Sequence, residues 1–144
     1  MDALTMDEVT LTLPMLPDME LTAARTACAM GEHIRMSPDK IDELSQAVVE
    51  AFINAFEHSQ APDKQVSIAF KVLGEDEDPR GLQITVSDSG VGFLPDSVRE
   101  PRIEDKLRSP RKRGWGLKII HGLMDHVDIN STSEGTTIVM RKMR

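Results

Sequence analysis

The sequence contains a single cysteine, Cys28, among its 144 residues. One cysteine excludes an internal disulfide and any metal site built from several cysteines, so Cys28 is interpreted as a small apolar helix residue. The sequence also lacks an apolar run long enough to cross a membrane. Residues 1–14 lack the positive charge and the apolar stretch of a signal peptide. We therefore expect a soluble, cytoplasmic domain without a membrane partner.

Basic residues are in the minority. Lysine and arginine number 17 against 24 aspartates and glutamates, which gives a formal net charge of −7. A general nucleic-acid binder usually carries a basic footprint, so this balance argues against direct contact with nucleic acid. The length and the 40% hydrophobic content are typical of one globular domain with a real core, spanning residues 1–144.

Hydrophobic periodicity predicts eight elements. In order they are a strand at 9–13, helices at 18–35 and 38–59, strands at 65–72 and 82–87, a helix at 115–126, and strands at 127–129 and 136–140. Ser37 and Pro38 suit the cap and first turn of the second helix. The charged segment at 74–81 is predicted to be an exposed hairpin connection. This order predicts an α/β two-layer sandwich, in which helices cover one face of a mixed, mostly antiparallel sheet.

A glycine-rich turn, Asp88-Ser89-Gly90-Val91-Gly92-Phe93, directly follows the strand at 82–87. A carboxylate at a strand end can accept a hydrogen bond from an exocyclic amine such as that of adenine. Gly90 and Gly92 would let a flat ring approach the backbone without a Cβ in the way. The alternative is an ordinary turn, since Asp-Ser-Gly is common turn chemistry. No third glycine opens a helix here, so this is not the dinucleotide-binding fingerprint.

A second glycine pair, in Arg113-Gly114-Trp115-Gly116-Leu117, stands at the start of a predicted helix. Free backbone N–H groups and the helix dipole make such a start an anion site, and Arg113 would add positive charge. A flexible hinge between loop and helix is the alternative. The Gly-Lys-Ser/Thr ending of a Walker loop is missing.

A third group, Glu50, Asn54 and His58, repeats every four residues along the long helix. That spacing places the three side chains near one another on one helix face. Carboxylate and amide oxygens suit a Mg²⁺ ion that keeps much of its water. Glu50 could instead act as a base. A solvated helix face is the alternative, and His58 also suits a hydrogen-bonding role at the helix end.

Together these motifs resemble the GHKL (Bergerat-fold) ATPases. Residues 50–58 are similar to the family's N box, 88–93 to its first glycine box, 114–117 to its second, and Gly135-Thr136-Thr137 to its closing Gly-Thr element. Within that superfamily the sequence most resembles the RsbW-type anti-sigma-factor serine-protein kinases, which share the Glu-x-x-x-Asn-Ala-x-x-His string. They also have a Met-Asp pair after the second glycine box, here Met124-Asp125.

The resemblance implies a role for each matched residue. Asn54 would coordinate Mg²⁺ that bridges the ATP phosphates, Glu50 would be the general base, and Asp88 would hold the adenine amine. Thr136 or Thr137 would support Asp88. The remaining implied nucleotide-binding residues are His58, Gly90, Gly92, Phe93, Gly114, Trp115, Gly116 and Leu117. Family members often place an arginine two residues before the second glycine box, where this chain has Lys112. Lys112 and Arg113 are therefore both candidates for the γ-phosphate contact.

The segment at 94–113 joins the two glycine motifs and is predicted to be a flexible ATP lid. It carries seven basic residues against four acids in an otherwise acidic chain. A lid that closes over phosphates would explain this local excess, and a solvated loop is the alternative.

Three functions fit these motifs. The first is a serine/threonine-protein kinase that phosphorylates a STAS-domain anti-anti-sigma partner. The second is an ATP-binding module that sequesters a sigma factor or another partner without efficient catalysis. The third, the catalytic part of a sensor histidine kinase, ranks lowest because His33 lies in a helix predicted to be too short for a phospho-accepting role. The resemblance also makes a homodimer possible.

Overall fold

The computed structural model describes residues 8–58, 65–75, 77–88, 115–132 and 135–144. Its elements are β1 (Glu8–Pro14), α1 (Met19–His33), α2 (Pro38–His58), β2 (Gln65–Glu75), β3 (Asp78–Asp88), α3 (Trp115–Leu123), β4 (His126–Thr132) and β5 (Gly135–Met143). The type and order of the eight predicted elements are confirmed. No helix in these ranges is long and apolar enough to cross a membrane.

The strands form one sheet in the order β1-β2-β3-β5-β4. Each of the four described pairings is antiparallel, so the sheet is not mixed as the sequence suggested. The reason lies in the connections. β3 and β4 run in the same direction, with α3 between them in sequence, but the β4–β5 hairpin places β5 between these two strands. The predicted α/β sandwich is otherwise confirmed.

The core lies between the sheet and the helices. Alternate residues of the central strands are buried, including Ile68 of β2 and Ile84 of β3. From the helix layer, Leu44, Val48 and Phe52 of α2 are each 1% exposed or less. Burial of one aliphatic or aromatic side chain of this size stabilises the folded state by about 1.5–3 kcal/mol relative to leaving it exposed. Because α2 packs against α1, α3 and the sheet, its position sets the frame for any site on the helix layer.

The start of α2 matches its sequence signature. The backbone N–H of Lys40 donates to Ser37 Oγ at 3.4 Å, and the N–H of Ile41 donates to the Ser37 carbonyl at 2.9 Å. The side-chain bond satisfies one of the N–H groups that a helix start leaves without an intrahelical partner. The predicted cap at Ser37 is confirmed.

The exposed hairpin connection predicted at 74–81 is confirmed as a hairpin with mostly exposed residues, but the turn itself is shorter than predicted. β2 continues to Glu75 and β3 already begins at Asp78. The ladder register shifts between Leu73 and Gly74, and Gly74 has a φ of 94°. A Cβ at Gly74 would lie 2.7 Å from the Asp78 carbonyl oxygen. The glycine therefore allows a β-bulge inside the hairpin, where the sequence pattern predicted that the first strand had already ended.

The last helix is shorter than predicted. α3 ends at Leu123, whereas the sequence suggested an end near residue 126. The N–H of Asp125 donates to the Arg141 carbonyl at 2.9 Å, and His126 is already paired with Arg141 in the sheet. The chain thus changes from helical hydrogen bonding to hydrogen bonding with β5 within two residues of the helix end.

Candidate active site

Three elements that are distant in sequence meet at one small cavity. Its described lining residues come from α2, β3 and β5 and are Asn54, Ala55, Val86, Asp88, Thr136 and Ile138. The volume among them is about 10 Å³, close to the smallest space that holds one water. These residues include three of the polar side chains predicted for the nucleotide site, Asn54, Asp88 and Thr136.

α2 supplies the amide. Asn54 is 6% exposed, and among the described residues no hydrogen bond of its side chain is found. Buried polar side chains are paired in the large majority of cases, and a buried amide without a partner costs about 1–3 kcal/mol. Glu50 lies one helical turn earlier and is half-buried. Glu50 and Asn54 are thus four residues apart on one helix, and the amide of Asn54 lines the cavity.

β3 and β5 supply the carboxylate and the hydroxyl. Asp88 is the last residue of β3, and the sheet register places it opposite Thr136. Cross-strand neighbours on one face have their Cβ atoms about 4.5–5.5 Å apart. Thr136 is 5% exposed and lines the cavity. Thr137 lies opposite Ser87, and its side chain points to the other face of the sheet. Of the two threonines left open by the sequence, Thr136 is the one beside Asp88.

The second glycine motif leads into α3, which begins at Trp115. Gly116 is its second residue, and half-buried Leu117 packs against the core. A helix start at this point provides the free N–H groups that the anion-site prediction requires.

Several predicted site residues cannot be placed. The side chain of His58, at the end of α2, and that of Trp115 lie outside the described part of the structure. The same holds for the whole of the predicted lid at 94–113 and for Gly90, Gly92, Phe93, Lys112, Arg113 and Gly114. Their assignments stay predictions.

The oxygen ligands that the described residues offer fit Mg²⁺-nucleotide chemistry. Within the described ranges, no group of three or more His, Cys, Asp or Glu side chains is arranged to hold a metal ion. Mg²⁺ is usually held by one or two protein oxygens together with substrate phosphates and water, not by a cage of carboxylates. The buried oxygen of Asn54 matches that mode of binding.

One buried charge was missed by the sequence reasoning. Lys142 on β5 is 6% exposed, and its Nζ lies 3.0 Å from Glu43 Oε1 of α2. Nζ also donates to the carbonyl of Leu123, the last residue of α3. The sequence did contain a signal: Lys142 continues the period-two series of Thr136, Ile138 and Met140, which all face the helices.

Comparison with known proteins shows relatives along nearly the whole chain. A family model described as the histidine kinase-like ATPase domain matches residues 13–142. Serine-protein kinase RsbW of Oceanobacillus iheyensis is 28% identical, and the alignment covers 94% of this chain and 86% of the relative. An anti-sigma F factor of Bacillus licheniformis is 30% identical, with 94% and 92% covered.

Solved structures share the fold. The RsbU and RsbW domains of a Mycobacterium tuberculosis protein match with a TM-score of 0.67 at 18% identity. That match covers 94% of this chain but 32% of the longer chain. The SiaB–SiaC complex of Pseudomonas aeruginosa matches with a TM-score of 0.53 at 8% identity, covering 94% and 89%. At these identities the likeness concerns the fold alone.

Proposed function

Because the chain belongs to the histidine kinase-like ATPase domain family and is a serine/threonine-protein kinase, we propose a specific reaction for it. It transfers the γ-phosphoryl group of ATP to a serine or threonine of a STAS-domain anti-anti-sigma protein. The observation that carries the proposal is the meeting of Asn54, Asp88 and Thr136 at one cavity, from three separate elements.

Asp88 and Thr136 form the adenine end of the proposed site. An ionised carboxylate only accepts hydrogen bonds, so Asp88 favours a base with an exocyclic amine, as adenine has, over one with a carbonyl there. The Thr136 hydroxyl beside it can donate or accept and can hold that carboxylate in place. Phe93 and the glycines at 90 and 92 would form the adjoining wall.

Asn54 and the start of α3 form the phosphate end. When bound, Mg²⁺ would neutralise charge on the phosphates. The Asn54 amide would hold that ion, because its oxygen is buried at the cavity and unpaired within the described residues. The N–H groups that open α3 would bind phosphate oxygens, with Gly114, Gly116 and either Lys112 or Arg113 beside them.

Glu50 is the proposed general base. It lies one turn before Asn54 on α2 and is not among the described residues that line the cavity with Asp88, so we assign it to the phosphate end. There the carboxylate would accept the proton of the partner's serine or threonine hydroxyl as the phosphoryl group is transferred. Phosphoryl transfer depends mainly on positioning and charge neutralisation, with a base that orients the nucleophile.

A second role is favoured by the relatives that carry the name anti-sigma F factor. We propose that the same chain, acting in the cytoplasm as a homodimer, also binds a sigma factor. A STAS protein would then compete for it. A complex of purified chain and sigma factor that a STAS protein dissociates would support this role, and a complex insensitive to STAS protein would contradict it.

Phosphate transfer tests the kinase reaction directly. The chain is incubated with Mg-ATP labelled at the γ-position and with candidate STAS proteins, and labelled partner is measured. Glu50→Ala should lower the transfer rate by about 10²–10⁴-fold, the usual contribution of a general base, with nucleotide affinity largely unchanged. Asp42→Ala is the matched control, since Asp42 is an exposed carboxylate on the same helix. Transfer by Glu50→Ala at the rate of the Asp42→Ala control would refute the base assignment.

A further inference from the structure

We propose that Lys142 is a positioning residue that anchors the far end of α3 and thereby keeps the phosphate-binding start of that helix in place. The inference rests on the proposed function, because it is the nucleotide that contacts the start of α3. It assigns a role to a residue that lies outside the cavity and would not touch ATP.

A single ammonium group joins three elements here. Lys142 projects from β5 toward the helices, pairs with Glu43 of α2 and donates to the Leu123 carbonyl at the end of α3. The last carbonyls of a helix have no intrahelical partner and carry the negative end of the helix dipole. A buried cation at that point therefore satisfies the helix end and links it to α2 at the same time.

The turn that follows α3 is tied to the same strand. The N–H of Asp125 donates to the Arg141 carbonyl at 2.9 Å, and the N–H of Met143 donates to Asp125 Oδ2 at 2.7 Å. Together with the Lys142 bond to Leu123, three hydrogen bonds fix this end of the helix to β5. α3 has nine residues, a rod of roughly 13 Å. A shift at its anchored end is therefore transmitted to its start.

The ion pair with Glu43 alone gives little reason, in terms of stability, for a lysine at this position. The three preceding inward positions of β5 carry Thr136, Ile138 and Met140, and an apolar side chain would continue the series. A buried ion pair is often no more stabilising than apolar packing of the same volume, and its better-attested use is to fix one arrangement. Here the arrangement that it fixes is α3 against α2, the two helices that form the phosphate end.

The experiment compares Lys142→Met with Leu13→Ala, which removes core volume in β1, three strands away from β5. Calorimetric titration measures the Kd for Mg-ATP, and hydrogen exchange measures protection of the amides at 118–123 without nucleotide. Lys142→Met should raise the Kd by about tenfold, the equivalent of losing one hydrogen bond to a charged phosphate, and should speed exchange in α3. Lys142→Arg keeps a positive charge and N–H donors for Glu43 and the Leu123 carbonyl, and should bring both values closer to those of the wild type than Lys142→Met does. Leu13→Ala should lower the Tm without either change.

A milder pair of variants covers the case in which Lys142→Met does not fold. Glu43→Gln weakens the ion pair but keeps Lys142, and should raise the Kd about threefold, while exposed Asp42→Asn on the same helix should have no effect. Equal Kd values and equal α3 exchange within each pair would overturn the anchoring role. Wild-type chain that binds no Mg-ATP would refute the proposed function. Faster α3 exchange in Lys142→Met would still support the anchoring in that case.

Discussion

A polar side chain is buried beside each end of α2, Lys142 of β5 near the start and Asn54 near the other end, and the two differ in what they contact. Near the start of the helix, Glu43 pairs with buried Lys142, whose ammonium also binds the end of α3. Near the other end, the Asn54 side chain is buried at a cavity, with no hydrogen bond found among the described residues. The Lys142 ammonium finds its hydrogen-bond partners within the protein, whereas the Asn54 amide can still form hydrogen bonds or coordinate an ion in a bound ligand.

The two buried side chains are therefore expected to affect the stability of the fold in opposite ways. A buried polar group that is paired stabilises the arrangement that pairs it, while an unpaired one lowers stability until a ligand arrives. Residues that serve binding often have this cost, and replacing them tends to stabilise a protein while removing its function. The two ends should therefore respond to apolar substitution in opposite directions.

The largest effect is expected from Asn54→Leu, which removes the amide and keeps a similar volume. This variant should lose ATP affinity without losing stability. The Kd for Mg-ATP should rise by about 10–100-fold, the equivalent of one hydrogen bond to a charged group. The free energy of unfolding without nucleotide should stay equal or rise by about 1 kcal/mol. Calorimetric titration and urea unfolding measure the two quantities.

Lys142→Met is the counterpart at the other end of α2. It should lower the free energy of unfolding by about 1–3 kcal/mol, because it leaves the Leu123 carbonyl without its partner. Two results would contradict the comparison. One is a loss of stability in Asn54→Leu as large as that in Lys142→Met, and the other is unchanged Mg-ATP affinity in Asn54→Leu.

A smaller effect should separate the two neighbouring threonines of β5. Thr136→Val removes the hydroxyl beside Asp88 and should weaken ATP binding by about fivefold, the equivalent of one ordinary hydrogen bond. Thr137→Val makes the same change on the opposite face of the sheet and should leave the affinity as it is. Calorimetric titration measures the Kd for ATP of both variants. Equal Kd values would mean that Thr136 does not support Asp88 in binding the adenine base.

The smallest effect is expected at the cap of α2. Ser37→Ala removes the acceptor for the Lys40 N–H and should lower the free energy of unfolding by roughly 0.5–1 kcal/mol, the lower range for a helix cap. Since the cap is far from the cavity along the helix, Mg-ATP affinity should not change. A clear loss of affinity in this variant would show that the two ends of α2 are coupled more strongly than the comparison assumes.

Local signals in the sequence were enough for the order of elements. The Ser37-Pro38 start of α2 and the alternation of β1 depend on neighbouring residues, and the structure has both as predicted. The hairpin connection at 74–81 was predicted to be longer than it is, because a glycine that permits a β-bulge has the same local signature as one that ends a strand.

Features that depend on distant residues were less accessible. The choice between Thr136 and Thr137 follows from the pairing register with β3, where a shift by one residue reverses the face. The Lys142–Glu43 pair joins residues 99 positions apart, and periodicity within one strand does not name the partner. Asn54 and Asp88 were brought together in advance by family resemblance and not by spacing, since nothing local relates the end of β3 to α2.

The adenine contact of Asp88 is the claim on which the account depends most. The direct measurement is calorimetric titration of ATP and GTP into Asp88→Asn, with Asp78→Asn as the control at the other end of the same strand. Loss of the charged acceptor should raise the Kd for ATP by about 10–100-fold and reduce the preference for ATP over GTP. Asp78 is exposed and paired with Arg80, so its variant should bind ATP as the wild type does. An ATP affinity in Asp88→Asn equal to that of the Asp78→Asn control would contradict the account.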